Sequence, residues 1–119
     1  MTTDYATLFA QALAEAIHAA ETANAALPPE TQRGFDCGFA WCDVPTPRDA
    51  DPETKAFVKW CKANGHGKAR GYGKAAWQFW SPAAAITQSV SVHYAGAAAF
   101  ALTLRNAGIS KACADQRLD

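Results

Sequence analysis

No apolar run in the chain approaches the ~20 residues that span a bilayer, because Gln11, Glu15 and His18 interrupt the alanine-rich start and polar residues break every later stretch. Nor is there an excess of charge of either sign: 11 Lys and Arg stand against 11 Asp and Glu, and charged residues make up only 18% of the chain. The first absence argues against a membrane partner, and the second against a charged disordered tail. Met1 to Asp4 holds no Lys or Arg, so no signal peptide is expected and the cytoplasm is the expected compartment. There Cys37, Cys42, Cys61 and Cys113 are expected to remain reduced thiols. Internal repeats and low-complexity tracts are also lacking. What is present is 119 residues, 50% of them hydrophobic. A chain of that size buries roughly two-thirds of the surface its unfolded form exposes, so one domain can stand without disulfides or a metal.

Periodicity places the elements. Tyr5, Leu8, Phe9, Ala12, Leu13, Ala16, Ile17 and Ala20 follow the spacing of one helical stripe, which predicts a helix over about 4–26, capped by Thr3 and stopped by Pro28-Pro29. From Phe35 to Val44 the period becomes two, with Phe35, Cys37, Phe39 and Trp41 on one face of a strand and Asp36, Gly38, Ala40 and Cys42 on the other. A second helix is marked by Asp51 as N-cap, Pro52 at its first position and Asn64-Gly65 as its stop, with Phe57, Trp60 and Cys61 on its buried side. Residues 75–80 read as a second strand, linked by a hairpin to a weaker third around 86–90. A third helix over 91–106 is apolar on nearly all sides, and Ala95-Gly96-Ala97-Ala98-Ala99 would let another backbone approach it closely. A final strand is expected over 109–114. This order predicts an α+β fold: a two-layer sandwich with a ferredoxin-like βαββαβ core over 34–119 and an additional N-terminal helix over 1–27, one domain in all.

The neutral total hides a local asymmetry. Lys55, Lys59, Lys62, Lys68, Arg70 and Lys74 fall within residues 55–74, which contain no acid. Lys55, Lys59 and Lys62 share one face of the second helix, opposite Phe57 and Trp60. The segment Gly65-His66-Gly67-Lys68-Ala69-Arg70-Gly71-Tyr72-Gly73-Lys74 then combines glycines that let a backbone approach an anion with three cations and one ring able to stack. A solvated helix face joined to a loop is the plainer reading of the same residues. The loop lacks the Ser or Thr that follows Gly-Lys in a P-loop, and it fails the Gly-x-Gly-x-x-Gly spacing of dinucleotide folds.

Trp41, Trp60, Trp77, Phe79 and Trp80 are many large rings for one small domain, and Trp77 and Trp80 must lie on opposite faces of their strand. Both belonging to the core is the simpler expectation; an exposed Trp80 beside the basic loop would instead serve stacking or a protein interface. Cys37 and Cys42 oppose each other on a strand and match no metal-ligand spacing, so no metal or other cofactor is expected. His93 could meet Ser91 or Asp43, and His66 could act as an acid in the loop, but no spacing links either to a nucleophile and a base.

Gly38-Phe39-Ala40-Trp41, Phe57-Val58-Lys59-Trp60, Trp77-Gln78-Phe79-Trp80 with Pro82 and Gln88-Ser89, Ala95-Gly96-Ala97 and Arg117-Leu118-Asp119 resemble phrases in a class of small uncharacterised phage- and prophage-encoded accessory proteins. The resemblance runs over about 34–119 and supplies no site residue. It implies an accessory protein that binds a host or viral macromolecule. The expectation is a non-enzymatic binding protein that engages nucleic acid or an acidic protein surface through Lys55, Lys59, Lys62, His66, Lys68, Arg70, Tyr72, Lys74 and Trp80. Two alternatives stand beside it. One is a protein-binding inhibitor of a host defence system acting through an apolar or aromatic surface, as a monomer or a homodimer; the other is a small enzyme using His66 or His93.

Overall fold

In the computed structural model, which describes residues 4–26, 38–71, 73–83 and 89–118, three helices and four strands are seen among the described residues. In chain order they are α1 (Tyr5–Ala26), β1 (Gly38–Pro45), α2 (Pro52–Asn64), β2 (Lys68–Ala69), β3 (Ala76–Trp80), α3 (Val90–Asn106) and β4 (Cys113–Leu118). The strands form one antiparallel sheet in the order β2-β3-β1-β4, so the protein is α+β with β1 and β3 at the centre. None of the described helices is long and apolar enough to cross a membrane.

Local chemistry explains the helix ends. The Asp51 carboxylate accepts from the Thr54 backbone N–H at 2.8 Å, and Pro52 fills the first position, where no N–H is needed. Gly65 ends α2 with φ 74°, and the next amide, on His66, donates back to the Cys61 carbonyl at 2.9 Å. Glycine adopts that left-handed backbone at little cost, so the helix stops where the sequence places Asn64-Gly65. At α1 the cap is Asp4: its carboxylate accepts from the Thr7 hydroxyl at 2.7 Å and the Thr7 amide at 3.1 Å. Those two bonds hold the Asp4 carboxyl below the usual carboxylate range, the hydroxyl contributing most. Thr3, the expected cap, lies outside the described residues.

One face of the sheet meets the helices. Ala40, Cys42 and Val44 of β1 and Phe79 of β3 turn toward them and are buried, and Phe79 contacts Phe57 of α2 and Phe100 of α3 at 6.1 and 5.0 Å between ring centroids. Phe9 of α1 reaches the same cluster, 6.0 Å from Phe79 and 5.9 Å from Phe100. The small side chains on this face of β1 leave room for these rings. The heavy face of β1, with Phe39 and Trp41, therefore turns away from the helices.

Along its length α1 packs on α3 through Leu8, Ala12, Ala16 and Ala20, while Ile17 at the end of the expected stripe is 44% exposed. The close approach expected at Gly96 is present: a Cβ built there would stand 2.7 Å from the Ala83 methyl and 3.2 Å from the Ala16 carbonyl. α3 is thus enclosed between α1 and the strands β1 and β4.

Two strand expectations are corrected, and a third lies mostly outside the described residues. The hairpin partner of β3 precedes it: β2 lies inside the glycine-rich segment and pairs Lys68 with Gln78 and Ala69 with Trp77. Of the strand expected around 86–90, residues 86–88 lie outside those described, and its last residue, Val90, opens α3. β4 begins four residues later than expected, because Ile109 and Ala112 are buried in turns closing α3, with the Ile109 amide bonded to the Leu104 carbonyl at 3.0 Å. The strand that follows is a sheet edge with polar residues on both faces, so hydrophobic alternation gives it no signal.

Gly96→Val is expected to lower stability by about 2 kcal/mol through overpacking against Ala83 and α1, read as a shift in urea midpoint. Gly71→Ala, with nothing within 4 Å of the added carbon, should shift it little.

Candidate functional site

The turn after β1, the outer face of α2 and the β2-β3 hairpin enclose a groove of about 440 Å³. α2 contributes Lys55, Val58, Lys59 and Lys62, one turn apart on one side of the helix, and the turn contributes Arg48. The hairpin supplies Ala69, Arg70 and Trp77. The floor is apolar and five cationic side chains border it, with no Asp or Glu among the described lining residues. Lys62 extends its ammonium to 5.4 Å from the centroid of the Trp77 ring. Trp77 is itself fixed, its indole Nε1–H donating to the His66 carbonyl at 2.8 Å. Gly67, at φ 78°, permits that contact: a side chain there would collide with Trp77 Nε1.

The sheet face away from the helices holds a different arrangement. Trp41 and Trp80, paired across β1 and β3, stack with their rings parallel to within 4° and 5.1 Å between centroids. Phe39 lies 5.5 Å from Trp80. Trp41 is buried and Trp80 is 43% exposed, so the expectation that both Trp77 and Trp80 belong to the core fails at Trp80. Lys68 stands over the Trp80 ring at 5.8 Å and Arg117 over the Phe39 ring at 5.8 Å.

Beneath these rings lies a buried carboxylate. Asp43 accepts from Trp41 Nε1 at 3.2 Å and from Gln78 Nε2 at 3.2 Å, and Arg70 Nη1 approaches it to 3.6 Å. Arg70 therefore spends its charge inside the protein and cannot count fully toward an external anion.

No family model, curated protein or solved structure matches the chain.

The structure gathers Lys55, Lys59, Lys62 and Arg70 at the groove and places Lys68 and Trp80 together on the other side of β2. Lys74 is exposed at the hairpin turn and borders neither. Tyr72 lies outside the described residues. His66 is held away from both, its imidazole stacked on Phe9 at 4.2 Å and 5.3 Å from Trp60. His93 is buried on α3. Sequence reasoning missed Arg48, which Asp49 and Asp51 separate from the acid-free segment, and Phe39 and Arg117, which only the strand pairing brings to Trp80.

Among the described residues no group of three or more His, Cys, Asp or Glu side chains could hold a metal ion. Cys42, Cys61 and Cys113 are free thiols. Burial raises all three above the ordinary thiol range, Cys61 to about 12. They remain protonated at neutral pH and are poor nucleophiles.

Two outcomes check this description. Asp43→Ala is expected to cost about 3 kcal/mol, because it strands the Trp41 indole, the Gln78 amide and the Arg70 guanidinium. Arg70→Ala added to it should recover part of that loss, measured by denaturant unfolding as a double-mutant cycle. For Cys61 the folded-state pKa lies above the unfolded one, so its contribution is intact below about pH 8.5 and is lost as pH rises toward about 12. Between about pH 8.5 and about pH 10 the wild-type protein should lose up to about 2 kcal/mol more stability than Cys61→Ala.

Proposed function

We propose that the protein is a non-enzymatic nucleic-acid-binding module whose groove between α2 and the β2-β3 hairpin receives phosphates. The observation that carries this reading is the convergence of Arg48, Lys55, Lys59 and Lys62 on one concavity that no carboxylate of the described residues lines, in a chain whose net charge is zero. A neutral protein that concentrates its cations in a cleft creates a local positive potential there, and low-dielectric walls such as Val58 and Trp77 strengthen it. Lysines on successive helical turns suit a repeating anion better than a single buried one, since each ammonium is a mobile point charge.

Binding is favoured over catalysis because, among the described residues, neither carboxylate, imidazole nor thiol lines the groove to pair with its lysines in moving a proton. The β-α-β-β-α-β order and the all-antiparallel sequence β2-β3-β1-β4 support reading the core as a ferredoxin-like sandwich carrying α1 as an extra helix.

Salt dependence tests the reading. With about four phosphates engaged, affinity for an oligonucleotide should fall roughly 50- to 150-fold between about 50 and about 200 mM salt. The double variant Lys59→Ala/Lys62→Ala should flatten the log–log slope by roughly two. An affinity unchanged by salt, or binding to an acidic polypeptide with none to nucleic acid, would overturn the proposal.

A further inference from the structure

The open face of the sheet presents a second feature that the phosphate groove does not explain. Large rings on a sheet face that no described helix covers are costly to leave in water, yet Trp80 is 43% exposed and Phe39 half-buried. They are also not scattered. Trp80, Trp41 and Phe39 form a contiguous cluster on the two central strands, with Lys68 at the β2 edge and Arg117 at the β4 edge. Beside Trp80 an open cleft of about 390 Å³ is bounded by Gly67, Lys68, Gln78 and Trp80.

We infer that this cleft takes an unpaired nucleobase stacked on Trp80, which makes the preferred ligand single-stranded nucleic acid; the inference rests on the nucleic-acid reading of the groove and adds the strandedness of the ligand and a second contact site. One face of the Trp80 indole is backed by Trp41, which is buried and held by Asp43, so the ring is presented on a rigid support. Near its ring stands the Lys68 ammonium at 5.8 Å, on a flexible stem that can move to a phosphate when a base arrives. Gly67 has no side chain to obstruct entry. Stacking needs only a π-face, so it tolerates any base, and it requires bases that are not already paired in a duplex.

Charge on this face favours an anionic chain. Lys68, Arg70 and Arg117 face Asp43 and Asp115 there, and Arg70 and Asp43 neutralise each other. The Asp115 carboxylate accepts from the Gln116 amide at 2.8 Å. Asp115 keeps its negative charge, so Lys68 and Arg117, one at each edge of the cluster, leave this face with one net positive charge among the described residues. β2 separates this face from the phosphate groove: Lys68 serves the cleft and Ala69 lines the groove. A strand crossing that edge would place phosphates on one side and a base on the other.

The test compares a short oligothymidylate and oligouridylate with a blunt duplex of equal length, by fluorescence anisotropy at low salt. The wild-type protein should prefer the single strands. Trp80→Ala should weaken single-strand binding roughly ten- to hundredfold and leave duplex binding nearly unchanged, while Trp80→Phe keeps most of the single-strand affinity. Lys68→Glu, which leaves the ring stack intact, should also weaken single-strand binding, and so covers the case in which Trp80→Ala unfolds the sheet face. Equal affinity for single strands and duplex in the wild type, or single-strand binding indifferent to both Trp80→Ala and Lys68→Glu, would overturn the inference and leave the groove proposal standing. Failure of every oligonucleotide to bind would remove both.

Discussion

A buried carboxylate on the central strand holds the sheet and the hairpin in one arrangement. Asp43 gathers the Trp41 indole from its own strand, the Gln78 amide from β3 and the Arg70 guanidinium from the end of β2. A carboxylate removed from water is expensive unless its oxygens are occupied. The surrounding groups can satisfy it only when β1 and β3 pair in the observed register, with Asp43 opposite Gln78. A shift of one residue would either turn Asp43 into the apolar cluster around Phe79, if β1 moved, or carry Trp80 to the helix side, if β3 moved. The same carboxylate therefore fixes the orientation of the ring cluster and anchors the start of the hairpin turn at Arg70.

From that anchor the two candidate surfaces follow. β2 is only two residues long and exposed, yet it divides the molecule's cationic region. On the helix side, α2 offers Lys55, Lys59 and Lys62 above Val58 and Trp77. On the open side, Lys68 stands over Trp80. Gly67 and the Trp77-to-His66 hydrogen bond hold the hairpin against the end of α2, so the groove depends on the same small set of contacts that positions the cleft. The aromatic interior formed by Phe9, Phe57, Phe79 and Phe100 sits behind both surfaces as a rigid support.

How far the sequence foretells this depends on how local each signal is. α2 is legible to the residue because Asp51, Pro52 and Gly65 act within one helical turn, and the lysine stripe on it follows from helical spacing alone. β3 is nearly as clear, since Ala76 to Trp80 alternates strongly. β2 leaves no trace in the sequence: Lys68-Ala69 is a strand only because β3 lies beside it. β4 is misplaced because an edge strand reading Cys113-Ala114-Asp115-Gln116-Arg117 has no apolar face, while the truly apolar Ile109 is taken up by a turn. Alternation puts Trp77 and Trp80 on opposite faces, but which of them meets solvent is set by α1 and α2, far away in sequence. Arg48 joins the cation cluster because the turn that carries it borders the same groove as α2 and the hairpin, and Arg70 partly leaves it through its ion pair with Asp43, 27 residues earlier in the chain.

Backbone and indole chemical-shift mapping, during titration with a short single-stranded oligonucleotide, probes the central claim most directly because it reports every surface at once. The account predicts perturbations concentrated at the amides of Lys59, Lys62 and Lys68 and at the Trp80 indole, with α1 and the outer face of α3 unmoved. Shifts centred instead on exposed Ile17 and Leu102, or a spectrum that does not respond while an acidic peptide moves the same lysines, would contradict it.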